Sequence, residues 1–468
     1  MRGISIKIPA DPSCETGRHF LSCTGRQLLY LGCCLALLFI SGCASYGKIE
    51  NLPVAESSTT QEYSLRSFAR ADKNSDLALM LTFSGGGTRA AAMAYGVMQE
   101  LRDTVIAVNG ESRRLLDEVD TISSVSGGSF TSAYYGLHGD GIFETFEDKF
   151  LRFDMDKHLV YGIFNPILWF DSKGRTDMAV DYYQKQVFHG ATFADMMHSG
   201  LPLIVINASD LAYGIRFSFV QEYFNLLCSD LASFPVARAV AASSAVPVIF
   251  SPVVLQNYSG CSDGDIDWLA AAKARSGDDA ELEMLSFGLE TYANKDQRKF
   301  VHLVDGGITD NTGLRAAYDI IEILGGSKTY LELTRKATPS QFVVIAVNAS
   351  TDPMFDMDES NEAPSMATSM NAVSGVQLHR YNAATIELLQ NSLETWTQDV
   401  STPDQTVTPY FIEVSFEDIR APEVRRFLNK IPTAFSLSDE QVDTLIESGR
   451  DLLRNNPVFQ QLLADLKE

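Results

Sequence analysis

Apolar runs that end in clusters of small residues punctuate the middle of this chain. Leu77 to Phe83 (Leu-Ala-Leu-Met-Leu-Thr-Phe) is almost continuously apolar, the pattern of a strand buried on both faces of a parallel sheet. Ser84-Gly85-Gly86-Gly87-Thr88-Arg89 follows, and then an alanine-rich stretch through Leu101 that reads as a helix. A second β-like run, Asp120 to Val125, reaches Ser126-Gly127-Gly128 and turns helical, and a third, Phe300 to Val304, runs into Asp305-Gly306-Gly307. Phe342 to Asn348 (Phe-Val-Val-Ile-Ala-Val-Asn) closes the series. Strands alternating with helices over about 76–350 predict one α/β domain with a mainly parallel sheet. Beyond it, 351–375 carries acids, prolines and methionines without periodicity and predicts a loop or lid. From Val376 the pattern turns helical, a C-terminal extension over 376–468 in which Ser438 and Gln441 fit a capping box ahead of Val442, Leu445 and Ile446. Residues 43–75 are polar and dotted with Ser, Thr and Asn, as in a tether.

The small-residue clusters carry the candidate chemistry. A serine at a tight strand-to-helix turn, backed by glycines that let neighbouring backbone approach, is the sequence form of a nucleophile elbow. Ser126 holds that apex, with Ser124 where Gly-x-Ser-x-Gly has its first glycine. Alone, the same letters also fit an ordinary Gly/Ser-rich turn. Gly85-Gly86-Gly87 bares backbone N–H groups at a helix start, an anion site suited to the oxyanion formed when a serine attacks an ester. The run Gly85 to Ala90 also fits a dinucleotide fingerprint, but the next strand ends in the serine turn and not in an acidic residue; the Gly-Lys-Ser/Thr of a P-loop is absent. Asp305 closes a strand, and the C-terminal ends of strands are where α/β sheets place their chemistry, although Asp before Gly-Gly is also a common turn former. Among seven histidines, His379 is the one downstream of Asp305 and its setting reads as a helix start, while His302 falls inside a strand. Asp305 is therefore favoured as the direct base, which requires a partly dry site to raise its pKa from the free value near ~3.9.

Glycine loop, serine elbow and Asp-Gly-Gly, in this order, resemble the patatin-like phospholipases, with similarity from about Leu77 to Asn348 that includes Ala239 to Pro252. The resemblance implies a three-layer α/β/α fold and a Ser-Asp dyad acting without histidine. Gly85, Gly86, Gly87 and Arg89 fall on the family's oxyanion motif, Ser126 on its nucleophile and Asp305 on its aspartate. The activity implied is hydrolysis of carboxylic esters of membrane lipids, of phospholipase A or lysophospholipase type, through an acyl-enzyme and without metal or cofactor. The reading of a different class is a non-catalytic lipoprotein that uses the fold as a lipid-binding or assembly scaffold. Leu159 to Phe170, apolar and aromatic with Gly and Pro breaks, suits core packing or the wall of an acyl pocket.

The N-terminus reads as an address. Arg18 and Arg26 precede an apolar stretch, Leu28 to Gly42, too short to span a bilayer and closing on Ile40-Ser41-Gly42-Cys43. This resembles a bacterial lipoprotein signal over 1–42, with lipidation at Cys43 and, because Ala44 follows, an outer-membrane destination in the cell envelope. Four of the seven cysteines lie in that leader; beyond Cys43 only Cys228 and Cys261 remain, which an oxidising compartment would join, although two free thiols are the alternative. A bridge closing so long a loop is worth roughly 3 to 4.7 kcal/mol in the chain-entropy picture. Neither cysteine has a partner at metal-ligand spacing. Net charge is -23, and loss of the first 42 residues, with four basic and two acidic side chains, makes it -25. That charge argues against nucleic acid and against electrostatic docking on anionic lipid, so membrane contact is expected from the lipidated cysteine and from apolar surface.

Overall fold

The computed structural model describes residues 47–54, 62–65, 68, 76–108, 111–154, 175–197, 201–247, 249–261, 267–275, 277, 279–334, 338–352 and 361–466. The leader, Cys43 and the apolar stretch Leu159 to Phe170 lie outside these residues.

The apolar runs become strands of one eight-stranded sheet: β1 (Leu77–Phe83), β2 (Val119–Val125), β3 (Leu203–Asp210), β4 (Ile215–Ser218), β5 (Val253–Gln256), β6 (Phe300–Val304), β7 (Gln341–Asn348) and β8 (Thr408–Ser415). The order is β8-β7-β1-β2-β3-β6-β5, with β4 paired to β3. Strands β8, β7, β1, β2 and β3 are parallel, whereas β6 runs antiparallel to both β3 and β5. Every residue of β1 and β3 is buried, which is why their sequences are continuous runs and not alternations.

Right-handed crossovers sort the helices onto two faces. Helices α1 (Thr88–Asp103) and α2 (Gly127–His138) carry the chain one way, from β1 to β2 and from β2 to β3, and α3 (Val236–Ser243) packs beside α2. The return across the sheet puts α4 (Leu314–Ile323) and α5 (Met366–Val400), which pack on each other, on the opposite face. The result is the three-layer α/β/α sandwich, mostly parallel.

The segment after 350 is mainly helical but is not an appendage. Strand β8 pairs along its whole length with β7 and forms the sheet edge, and α6 (Asp439–Arg454), opened by the Ser438–Gln441 capping box, packs on α1. The two helices touch at backbone distance: a Cβ on Gly96 would lie 2.2 Å from Ile446 O, and one on Gly449 would lie 2.5 Å from Met93 O. Helix α1 is thereby buried on every side from Thr88 to Met98, which suits the small and apolar run Ala90 to Met98. Strand β8 went unread because its alternation is short and only half buried.

Two further expectations are corrected. Helix α5 begins at Met366, capped by Ser365, ten residues before the helical pattern becomes visible, so the expected loop narrows. The stretch 43–75 is not merely a tether: Tyr63 is fully buried and its hydroxyl binds both Ile204 O and Ile204 N–H, while Leu52–Pro53 pairs with Ser229–Asp230. Cys228 and Cys261 are joined by a disulfide.

Gly449→Leu should destabilise the protein by at least the ~1–3 kcal/mol typical of overpacking, because what it meets is backbone and cannot rotate away. Urea unfolding of variant and parent measures this. Equal midpoints would contradict the close crossing of α1 and α6.

Candidate active site

Strand β2 ends at Val125, and the chain reverses into α2 through Ser126 with φ 49° and ψ -118°. A non-glycine residue at positive φ costs on the order of 1–3 kcal/mol and persists only where its surroundings over-determine it. They do so here. The Ser126 N–H donates to Ser243 Oγ at 2.8 Å, and that hydroxyl donates to Asn207 O at 2.6 Å, tying the turn to α3 and β3. A Cβ on Gly128 would sit 2.7 Å from Phe83 Cβ and 2.8 Å from Phe83 O. Ser124 replaces the elbow's first glycine without disturbing the turn, since it is fully buried and its hydroxyl accepts from Ser132 Oγ at 2.6 Å.

Asp305 arrives from the other direction. Because β6 is antiparallel to β3, it comes down onto the C-terminal edge of the parallel strands from beyond it and stops there, so the sequence reading has the place of Asp305 right and the direction of its strand wrong. The register pairs Val304 with Ser209 and Val125 with Asn207, so Asp305 and Ser126 flank the same level of β3, that of Ala208. There Ser126 Oγ donates to Asp305 Oδ2 at 2.9 Å, and Gly307 N–H donates to Asp305 Oδ1 at 2.8 Å. No histidine is among the carboxyl's partners. His302 is exposed in β6, and His379 lies well inside α5 instead of at a helix start. Both Ser126 and Asp305 are buried. Burial raises the Asp305 carboxyl from the ordinary 3.8 to about 6, against the opposing pull of the two hydrogen bonds.

Two helix N-termini meet over this pair. Gly87 caps α1 and Ser126 caps α2, and they are so close that a Cβ on Gly127 would lie 2.0 Å from Gly87 O and 2.7 Å from Gly87 N. The N–H groups of Gly86, Gly87 and Gly127 have no hydrogen-bond partner among the described residues. Free N–H groups at helix starts form a site for a developing negative charge.

A sequence model for patatin-like phospholipases matches residues 81–318, just over half of the chain. The chain belongs to the patatin-like phospholipase family. Among solved structures it is similar to human GIVD cytosolic phospholipase A2, at 11% identity and a TM-score of 0.42, over 87% of this chain and 65% of that one. It is also similar to the same human enzyme in complex with methyl gamma-linolenyl fluorophosphonate, at 13% identity and a TM-score of 0.41, over 90% and 69% of the two chains. The chain thus spans less than two thirds of the first of these structures. No curated protein matches it.

Two residues of the family's glycine motif differ in position from the sequence reading. Gly85 donates its N–H to Asn311 O at 2.8 Å, so it is occupied and the free donors are Gly86, Gly87 and, from the elbow itself, Gly127. Arg89 does not reach the pair. Its guanidinium donates to Ala349 O at 2.9 Å, Ile431 O at 2.5 Å and Thr433 Oγ1 at 3.3 Å, with no carboxylate bonded to it. Burial lowers its pKa to about 10, so it stays charged, a buried cation beneath Gly86. Thr88 N–H and Oγ1 bind Ala434 O and Phe435 O, which braces the loop with the C-terminal segment. Ser243, Asn207 and this brace were missed in the sequence. Ser243 lies within the Ala239 to Pro252 block, where a lone hydroxyl run among alanines was the available signal; the brace, more than 340 positions away, left none.

The raised carboxyl has a consequence for stability. Its folded value lies above its unfolded one, so the stability it contributes is full below the unfolded value near 3.8 and is lost as pH rises through about 6. Asp305→Asn removes this titration. The unfolding free energy of Asp305→Asn relative to wild type should therefore climb by about 2 kcal/mol between pH 4.5 and 7.5. Urea denaturation across that range reads the slope, and a difference that falls with pH would show that the folded site lowers the carboxyl's pKa.

Proposed function

We propose that this protein is a serine acyl hydrolase that cleaves carboxylic ester bonds of membrane lipids, in the manner of a phospholipase A or lysophospholipase. The observation that carries the reading is the 2.9 Å hydrogen bond from Ser126 to a dry carboxylate with a pKa near 6, beneath unpaired N–H groups of two helix starts. In the proposed cycle Asp305 accepts the Ser126 proton as Oγ attacks the ester carbonyl. The negative oxygen is held by Gly86, Gly87 and Gly127 N–H, with the buried Arg89 charge behind them. Collapse breaks the ester C–O bond, and the proton on Asp305 goes to the leaving alcohol. A water, deprotonated by Asp305, then attacks the acyl-enzyme, and return of that proton to Ser126 frees the fatty acid. The residues ask for neither metal nor organic cofactor in these steps. Lipidation at Cys43, in a bacterial envelope and toward the outer membrane, is the setting proposed for this reaction, and the disulfide suits it.

Four proteins test the dyad: wild type, Ser126→Ala, Asp305→Asn and His379→Ala, with kcat measured on a short-chain p-nitrophenyl ester and folding checked by thermal melt. Ser126→Ala should be inactive and refractory to a fluorophosphonate. Asp305→Asn should lose the ~10²- to 10⁴-fold typical of a missing general base, or more, and His379→Ala should lose little. A loss at His379 equal to that at Ser126, in a folded protein, would replace the dyad by a triad.

A further inference from the structure

Helix α5 is much longer than the sheet it covers. At 1.5 Å per residue its 35 residues extend about 52 Å, against about 26 Å for the eight residues of β7. Its C-terminal part runs antiparallel to β7. Trp396 stacks on Phe342, near the strand's start, and Asn382 donates to Ser350 Oγ, just past the strand's end. Residues Met366 to Arg380 therefore continue beyond the C-terminal edge of the parallel strands, the edge at which β2 delivers Ser126.

This projecting part exposes apolar side chains. Met366, Val373 and Val376 are 82%, 63% and 44% exposed. At 3.6 residues per turn these three and the exposed Arg380 fall within about 80° of one another, one narrow face. Two more apolar side chains are about half exposed beside the site: Ile308, in the helical turn Gly307–Asp310 that follows Asp305, and Ile249, in the loop whose Ala245 O accepts the Asp305 N–H. The charge pattern changes here as well. In a chain with 60 acidic residues, 363–386 contains none, and its one arginine is Arg380.

We propose that the projecting half of α5 is a docking element for a lipid surface, which seats Met366, Val373 and Val376 in the interface and brings the Ser126 edge down onto its substrate. The occupant follows from chemistry. A strongly acidic protein is repelled by an anionic surface, so an acid-free apolar face with a single cation at its border fits a zwitterionic one, with Arg380 against headgroup phosphates. The inference rests on the reading of this protein as a lipid hydrolase, and it deepens that reading by naming the surface from which the substrate is taken.

The test uses the proposed mature chain, residues 43–468, carrying Cys43→Ser, which removes both the lipidation site and the apolar leader, and vesicles of phosphatidylcholine with phosphatidylethanolamine. In the Ser126→Ala background, co-sedimentation with vesicles should fall at least five-fold when Val373→Asp and Val376→Asp are introduced. Val373→Trp should bind at least as well as the parent, with its fluorescence shifted to the blue by vesicles. In the active background the double variant should lose about ten-fold on vesicle-borne phospholipid and stay within two-fold of its parent on a water-soluble ester, because neither valine touches the site. Unchanged sedimentation together with an unshifted tryptophan would overturn the proposal, as would a change in oligomeric state with vesicle binding intact, which would make the face a contact between two copies. Absence of ester hydrolysis in every protein, with vesicle binding lost as expected in the double variant, would instead remove the proposed function and leave the docking surface standing.

Discussion

A serine forced to φ 49° at the buried end of a strand is the constraint on which the rest of this structure depends. The turn is affordable only if nothing collides with it and something holds it. Gly127 and Gly128 meet the first need, with backbone from the glycine loop and from β1 packed where side chains would be. Ser243 meets the second by accepting the Ser126 N–H, which the strained turn would otherwise leave buried and unpaired. The close approach of Gly127 to Gly87 then makes the two helix starts a single anion site, so the backbone strain and the proposed oxyanion stabilisation share one cause.

The second governing effect is desolvation. A carboxyl in water is too acidic to take a proton from a serine at useful rate, and an isolated buried carboxylate is costly. Asp305 sits between these limits, buried but with hydrogen bonds from Gly307 and Ser126. The same burial that suits it to the proposed role of base at neutral pH destabilises its charged form, so under that proposal the site trades stability for reactivity. Arg89 extends the pattern: a buried cation bonded to carbonyls keeps its charge for the glycine loop because no carboxylate neutralises it.

Much of this was legible in sequence, for identifiable reasons. Runs buried on both faces announce themselves without periodicity, as β1, β2 and β7 did, and turns that require glycine mark their own location. The candidate pair was found for that reason, although one premise behind Asp305 was wrong: β6 is antiparallel, and strand direction leaves no mark in a five-residue run. What could not be read was mostly long-range. Strand β8 joins the sheet through pairing with β7, and the brace of Arg89 and Thr88 by 431–435 depends on α6 docking against α1 through Gly96 and Gly449. The start of α5 escaped because its first turns mix small, polar and apolar residues with no 3.6-residue period in the sequence.

The central claim is that a desolvated carboxylate, without histidine, activates Ser126. The most direct measurement is the rate of fluorophosphonate labelling of Ser126 as a function of pH, taken at two temperatures. The account predicts one rising limb with a midpoint near 6 that barely moves on warming, as carboxyl ionisation does. A midpoint that falls markedly on warming, as an imidazole's does, and that disappears in His379→Ala would contradict it.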